Sequence, residues 1–213
     1  GAVSGVENTS PQDLLNKVIE NFSQHKAGLE AAINSGSGVP LDSVRIRSPL
    51  PHPNIVAMAV NYMEDGTRAA PAPINAFQKS PNAVIGNGDT MVLPDVPAAI
   101  FEGEAEMALV IGKRASNISP ENAFDPIFGY VNFIDGSARG LLPPGNTFYQ
   151  MKSRETFAPM GPVIVTADEI SDVDNLQIRL WVNEELKQNF NTSDMAHKIP
   201  RIMEWVSSIH TLE

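Results

Sequence analysis

Polar and apolar positions alternate most sharply between Ala99 and Arg114, AIFEGEAEMALVIGKR. Read at the period of a strand, Glu102, Glu104 and Glu106 share one face, and Phe101, Ala105, Met107, Leu109 and Ile111 share the other. From Met107 to Ile111 both faces turn apolar, the pattern of a strand covered on both sides. Carboxylates are thus carried in register into a buried sheet, same-face neighbours roughly 7 Å apart. Burying unpaired anions is costly, so a cation is expected between them, and a divalent metal with oxygen ligands meets that need. The competing reading is an edge strand whose glutamates face water, and the apolar run downstream weighs against it.

The rest of the pattern is of short elements. Ser10-Pro11 opens a helix, with Ser10 as N-cap, Pro11 at the first helical position and Asp13 in the first turn. Leu14, Leu15, Val18, Ile19 and Phe22 form a stripe that Leu29 and Ile33 continue, and Asn34-Ser35-Gly36-Ser37-Gly38 stops it. Strands are expected over Val44–Arg47 and Asn54–Val60, the second ended by Asn61-Tyr62. A loop from Met63 to Ala76, stiffened by Pro71 and Pro73, is either a lid or a plain connection. A strand pair at Phe77–Lys79 and Ala83–Ile85, a turn at Gly86–Asp89 and a short strand at Met91–Leu93 lead into the glutamate strand. Beyond it come a capped short helix at Ser119–Phe124, a strand at Gly129–Asp135 with Asp135 beside Val131 and Phe133 on one face, and a loop from Gly136 to Gly145. Strands at Pro162–Val165 and Leu176–Val182 follow, the latter turning at Asn183-Glu184 into Leu186–Phe190 without the usual glycine. A last helix near Pro200 buries Ile202, Met203, Val206 and Ile209. Elements this mixed predict an α+β fold, mainly β, and argue against a regular βα alternation.

Composition narrows the function classes. At 213 residues, 42% apolar and 19% charged, the chain has the make-up of one globular domain with a short appendage. A net charge of −10 argues against nucleic acid as a partner. No apolar run has the length of a membrane span, and no leader pattern is read at the N-terminus. Zero cysteines exclude disulfides and thiolate metal sites, so a cytoplasmic location is expected.

GEAEMALVIGK resembles the E-x-E-L-x-x-V-I-G-K signature of the fumarylacetoacetate hydrolase family. PNIVAMAVNY, FQKSP, GYVNFIDGSAR, MKSRETFAPMGP and VNEELKQNFNTSDM stand around it in the family's order, so the resemblance covers about four-fifths of the chain, from Val44 to Glu213. It implies a β-rich roll of mixed sheets with the site in its mouth. Residues 44–213 would be the catalytic domain and residues 1–43 a helical segment packed beside it. It also implies that Glu104, Glu106 and Asp135 bind one Mg2+, or Mn2+ or Ca2+ in its place. The residue types agree, since hard oxygen ligands without cysteine or paired histidines suit a hard cation. Glu102 shares the face but lies outside the motif, supporting the site or facing solvent.

Substrates of the family are small 1,3-dicarbonyl or 2-oxo acids whose adjacent oxygens chelate the ion, which stabilises the enolate formed when a C–C bond breaks. The same intermediate serves hydrolysis, decarboxylation and keto–enol isomerisation. Lys152 matches the family lysine that approaches substrate oxygen; pairing with a buried glutamate is its other reading. Lys79 matches a position near the site, facing substrate or holding an ion pair. Arg139 is expected to brace the acids and Tyr62 to line the pocket or pack.

Two departures stand out. Hydrolytic members often carry a histidine three residues after the tyrosine of the N-Y pair, with a glutamate partner that activates water. Asp65 stands there instead, with Glu64 beside it, and either becomes the candidate base if burial raises its pKa. His25, His52, His197 and His210 offer no evident replacement. Family chains also continue past T-L-E through a P-G-D segment and a G-T turn. The C-terminal part of the fold is therefore expected to be missing beyond Glu213, leaving strands unpaired and the pocket open. The expected function is a metal-dependent hydrolase cleaving a C–C bond in a small oxo acid, working as a homodimer. A decarboxylase of the oxaloacetate type or a keto–enol isomerase on the same site is the first alternative, and a silent metal-binding homologue or fragment the second.

Overall fold

A computed structural model of the chain describes residues 3, 5–36, 38–145 and 148–213. Helix α1 spans Pro11–Glu20, capped where the Asp13 N–H donates to Ser10 Oγ at 3.1 Å. It does not run on as one helix. The Asn21 side chain donates to the Lys17 carbonyl and ends it, and α2, Phe22–Asn34, starts afresh. The expected stripe breaks with it: Leu15 and Ile19 pack into the core and Phe22 meets Phe128 edge-on, whereas Ile33 is 78% exposed. Ser37, within the expected stop, lies outside the described residues.

Three sheets follow. Strands β1 (Ile55–Met58) and β2 (Ala76–Lys79) form an antiparallel ribbon. The four-stranded sheet has the order β3-β6-β5-β4, from β3 (Val84–Ile85), β4 (Ile100–Ile111), β5 (Ile127–Arg139) and β6 (Ala158–Thr166). Its contacts are antiparallel except β3 against β6. Strands β7 (Gln177–Val182) and β8 (Glu185–Asn191) make a hairpin, whose turn residues Asn183 and Glu184 take φ of 51° and 68°. Those left-handed values are what a two-residue turn between right-twisted strands demands, here met without glycine. Two helices complete the elements, α3 (Phe148–Lys152) and α4 (Ile199–Ile209).

The glutamate strand is β4, and its second half is covered on both sides. Met107, Leu109 and Ile111 pack toward Ile199, Ile202, Met203 and Val206 of α4, while Ala108 and Val110 pack with Val131, Phe133, Met160 and Ile19. This mixed, mainly β architecture with short helices is the expected α+β class.

Several local expectations are corrected. Phe77–Lys79 and Ala83–Ile85 are not partners; β2 pairs with β1 and β3 with β6, because Ser80 caps a 3-10 turn at Pro81–Ala83 between them. Val44–Arg47 and Met91–Leu93 join no ladder. The first region instead seats its backbone on Gly86, where a Cβ would lie 2.6 Å from the Ser48 nitrogen. The second is held by the Val92 N–H on Thr156 Oγ at 2.8 Å. Residues 136–139 are strand, not loop, paired with β4 to its start. The expected helix at Ser119–Phe124 is a single 3-10 turn, and Ile209 is 62% exposed.

Candidate active site

Register brings the acids together. In the β4–β5 ladder Glu104 lies opposite Asp135, Glu102 opposite Ser137 and Glu106 opposite Phe133, all on one face. The ladder's irregularity lies farther on, at Val110 and Ile111, so this stretch keeps its alternation.

Three cations arrive from three elements. Lys152, at the end of α3, bridges Glu104 Oε2 at 2.9 Å and Asp135 Oδ2 at 2.5 Å. Its ammonium stands 5.2 Å from the centre of the Phe77 ring, on which Phe148 stacks at 4.9 Å. Lys79, at the end of β2, is 2% exposed and spends its N–H groups on Asp135 Oδ1 (2.5 Å), the Gly136 carbonyl (3.1 Å) and the Lys152 carbonyl (2.5 Å). An ammonium has three donors, so Lys79 has none left for a ligand, while Lys152 has one without an acceptor among the described residues. Arg139 closes β5, its Nε on Glu102 Oε2 at 2.5 Å and a terminal nitrogen on Glu104 Oε1. Ser137 donates to the same oxygen at 3.1 Å.

Glu102, Glu104 and Asp135 are thereby matched by Arg139, Lys152 and Lys79, and Glu106 is the odd acid. It makes no hydrogen bond or ion pair among the described residues. Burial pushes its carboxyl up to about 8, with Asp135 and Glu104 adding to the push. Burial acts upward on Glu104 too, but Lys152 and Arg139 outweigh it and hold that carboxyl low. Burial carries Asp135 up and Lys79 down, each against the pull of its partners. The Tyr62 hydroxyl is also pushed up, first by burial and then by Glu106 and Asp194, and its ring stands edge-on to Phe190 at 4.8 Å.

Glu64 and Asp65 are not brought in. Both are exposed, so the burial that would make either a base is lacking. Glu64 pairs with Arg68 at 2.5 Å, and the Asp65 N–H donates to Asp194 Oδ2. Of the histidines, His197 bonds the Ala72 carbonyl, and none is hydrogen-bonded to the acids. Ser137 and Phe77 were not singled out from sequence; Ser137 was findable, two residues beyond Asp135 on the same face.

As the side chains stand, no three Asp, Glu or His residues among those described form a ready-made metal cage, because Lys152 bridges two of the acids. The donor set nonetheless fits a hard divalent ion: three carboxylates on one face, one of them in no ion pair among the described residues. A cleft of about 420 Å³ reaches Glu106, between β4–β5 and β7, and is lined also by Asn132, Arg179 and Trp181. A larger cavity of about 550 Å³, at Leu41–Ile46 and Asn87–Thr90, touches none of the cluster.

Comparison with known proteins identifies the family. Residues 54–213 match the model of the fumarylacetoacetate (FAA) hydrolase C-terminal family. The chain is 37% identical over 180 residues to oxaloacetate tautomerase YisK of Bacillus subtilis, covering 81% of this chain and 60% of that one. It is 35% identical to the mitochondrial oxaloacetate tautomerase fahd2 of Xenopus laevis, covering 80% and 55%. It thus spans somewhat over half the length of these relatives. Among solved structures, maleylpyruvate hydrolase from Sphingobium sp. SYK-6, in complex with manganese (II) ion and pyruvate, superposes with a TM-score of 0.86 at 33% identity, over 100% of this chain and 76% of that one. 2-Hydroxyhepta-2,4-diene-1,7-dioate isomerase from Mycobacterium marinum gives 0.73 at 34%, over 84% and 66%. A matching family model over most of the chain and a shared fold at this identity place the chain in the fumarylacetoacetate hydrolase family.

Proposed function

We propose that the chain is the catalytic part of a divalent-metal-dependent enzyme that interconverts the keto and enol forms of a small 2-oxo acid. One observation carries this reading: among the described residues a cluster of acids and ammonium groups holds one carboxyl in no ion pair, Glu106, while Glu64 and Asp65 are exposed and His197 is bonded to Ala72. Glu104, Glu106 and Asp135 would hold the ion, which when bound supplies Lewis-acid polarisation of the substrate oxygens. Such an ion would also offset the unmatched charge.

The remaining work falls to the chain. Lys152 keeps its third N–H for a substrate oxygen, held by a ring below and two carboxylates beside it. Lys79, with every donor spent, fixes the Lys152 backbone and the Asp135 carboxylate. Arg139 holds Glu104 from the other side. Keto–enol exchange moves one proton between carbon and oxygen and needs no activated water, which suits Glu64, Asp65 and the histidines lying outside the cluster. Similarity to the tautomerases supports this reading. Hydrolysis of a C–C bond is the second reading, favoured by the likeness to the Sphingobium hydrolase over the whole chain.

Ultraviolet absorbance of enol-oxaloacetate with Mn2+ present tests the choice, beside assay of the two acids formed from maleylpyruvate. Faster ketonisation, lost in Lys152→Met, is expected. Acid formation from maleylpyruvate without faster ketonisation would make the protein a hydrolase. Among the described residues no helix is long and apolar enough to cross a membrane.

A further inference from the structure

The loop from residue 63 to 75 leaves and rejoins the β1–β2 ribbon, yet both its limbs are tied to one distant segment, residues 192–197. At the near limb Asn61 is buried and forms a two-way amide clasp: its Nδ2 donates to the His197 carbonyl and its Oδ1 accepts from the His197 N–H, each at 3.0 Å. Backbone bonds add to it, Ala196 N–H to the Asn61 carbonyl at 2.8 Å and Met63 N–H to the Asp194 carbonyl at 3.1 Å, with Tyr62 bridged to Met195 between them. At the far limb the His197 ring bonds the Ala72 carbonyl through Nε2 at 2.8 Å. A carbonyl only accepts, so Nε2 carries the proton.

The root of the loop is strained. Val60, Glu64 and Asp65 have φ of 54°, 55° and 52°. Left-handed backbone costs roughly 1–2 kcal/mol for a residue with a side chain and is a real outlier for a β-branched one. Such conformations persist where their surroundings over-determine them. Here the clasp does so, and it fixes Tyr62, which lies between Val60 and Glu64 and is bridged to Met195.

We infer that Asn61 and His197 are positioning residues, which pin the two limbs of the 63–75 loop to residues 192–197 and so fix Tyr62 beside Met195 and Phe190. The contacts stand without the function proposed above; the consequence for ligand rests on it. His197 carries both ends of the clasp, its backbone taking Asn61 and its ring taking Ala72. The loop therefore behaves as a flap pinned at both edges rather than a free connection, and its order depends on the imidazole.

The test is hydrogen–deuterium exchange over residues 62–75 in the wild type, His197→Phe and His197→Gln, with calorimetric titration of Mn2+ and then oxalate into each. Losing one hydrogen bond at an anchored edge corresponds to roughly threefold to tenfold faster local opening. That rise is expected over 66–75 in His197→Phe, with β4–β5 protected as in the wild type and His197→Gln, which keeps a donor, recovering part of the protection. Oxalate binding should weaken severalfold while Mn2+ affinity stays unchanged. Unaltered exchange over 66–75 overturns the inference, as does faster exchange spread evenly through β4–β5, or faster loop exchange with unaltered oxalate binding. If the wild type binds neither Mn2+ nor oxalate, the proposed function fails, and the exchange data still decide the clasp. Val60→Gly probes the strained side separately. With strain stored there Tm holds or rises, and a fall of more than a few degrees overturns it.

Discussion

Two pairs of acids in this chain differ in nearly everything but charge. Glu104 and Asp135 come from paired strands 31 residues apart, are fixed across a ladder, and share one ammonium. Glu64 and Asp65 are neighbours on a loop, in left-handed backbone, with side chains in solvent. In water an ion pair contributes little. In the sheet the same groups need partners to be there at all. Register and burial set Glu104 and Asp135 on a shared ammonium, and exposure leaves Glu64 and Asp65 at the surface.

The difference can be broken most strongly at Lys152. Replacing it with Met leaves Glu104 and Asp135 facing one another without their shared ammonium. Removing one partner of a buried pair costs about 3–5 kcal/mol, and losing one electrostatic donor costs roughly a hundredfold to a thousandfold in kcat. Denaturant melts and steady-state kinetics would show both. Removing divalent ions should come next. At an ion concentration near 100 times Kd the fold gains about 2.7 kcal/mol, so chelator should lower Tm by several degrees and added Mn2+ should restore it.

Glu106 sharpens the comparison through pH. In the ion-free fold its carboxyl ionises at about 8, above the ordinary 4.5. Below pH 4.5 folded and unfolded chains both hold the proton. Between 4.5 and 8 the unfolded chain releases it and the fold keeps it, so stability declines across that window and levels off above it. Glu106→Gln, neutral throughout, should melt increasingly higher than the wild type as pH rises from 4.5 to 8, with chelator present; equal Tm at pH 8 would contradict the unmatched acid. The smallest effect belongs to the surface pair. Glu64→Gln with Asp65→Asn should shift Tm by no more than a degree or two and kcat by less than about twofold, within the range of surface substitutions.

Much of this was legible where the code is local. Strict alternation from Phe101 to Ile111 put the glutamates on one face, and the apolar run gave the doubly covered half of β4. The hairpin at Asn183-Glu184 and the α4 core face were likewise readable, and the family motifs pointed to the fold. The errors share a cause. Gly136 to Gly145 reads as a loop, because its glycines, serine and prolines favour irregular backbone, but Gly136 is small for another reason. A Cβ there would lie 2.9 Å from the Phe157 Cα, so the glycine lets β5 run past that chain instead of ending. Lys79 looked able to face substrate because nothing in FQKSP reveals that its ammonium ends among groups 56 and 73 residues away. Glu64 and Asp65 looked basic because sequence does not show which loop stays in solvent.

Those long separations bear on the order of folding. The β4–β5 hairpin closes over residues 112–126, and its register is set by its own apolar alternation. Lys79 must return to Asp135 from 56 residues earlier in the chain. Local pairings form before distant ones, so the hairpin should cross the folding barrier before the Lys79 ammonium arrives. Substitution of Lys79 should then leave the refolding rate nearly unchanged and appear almost wholly as faster unfolding. The charged centre would act as a latch closed after the fold is made, governing how long the native state lasts more than how fast it is reached.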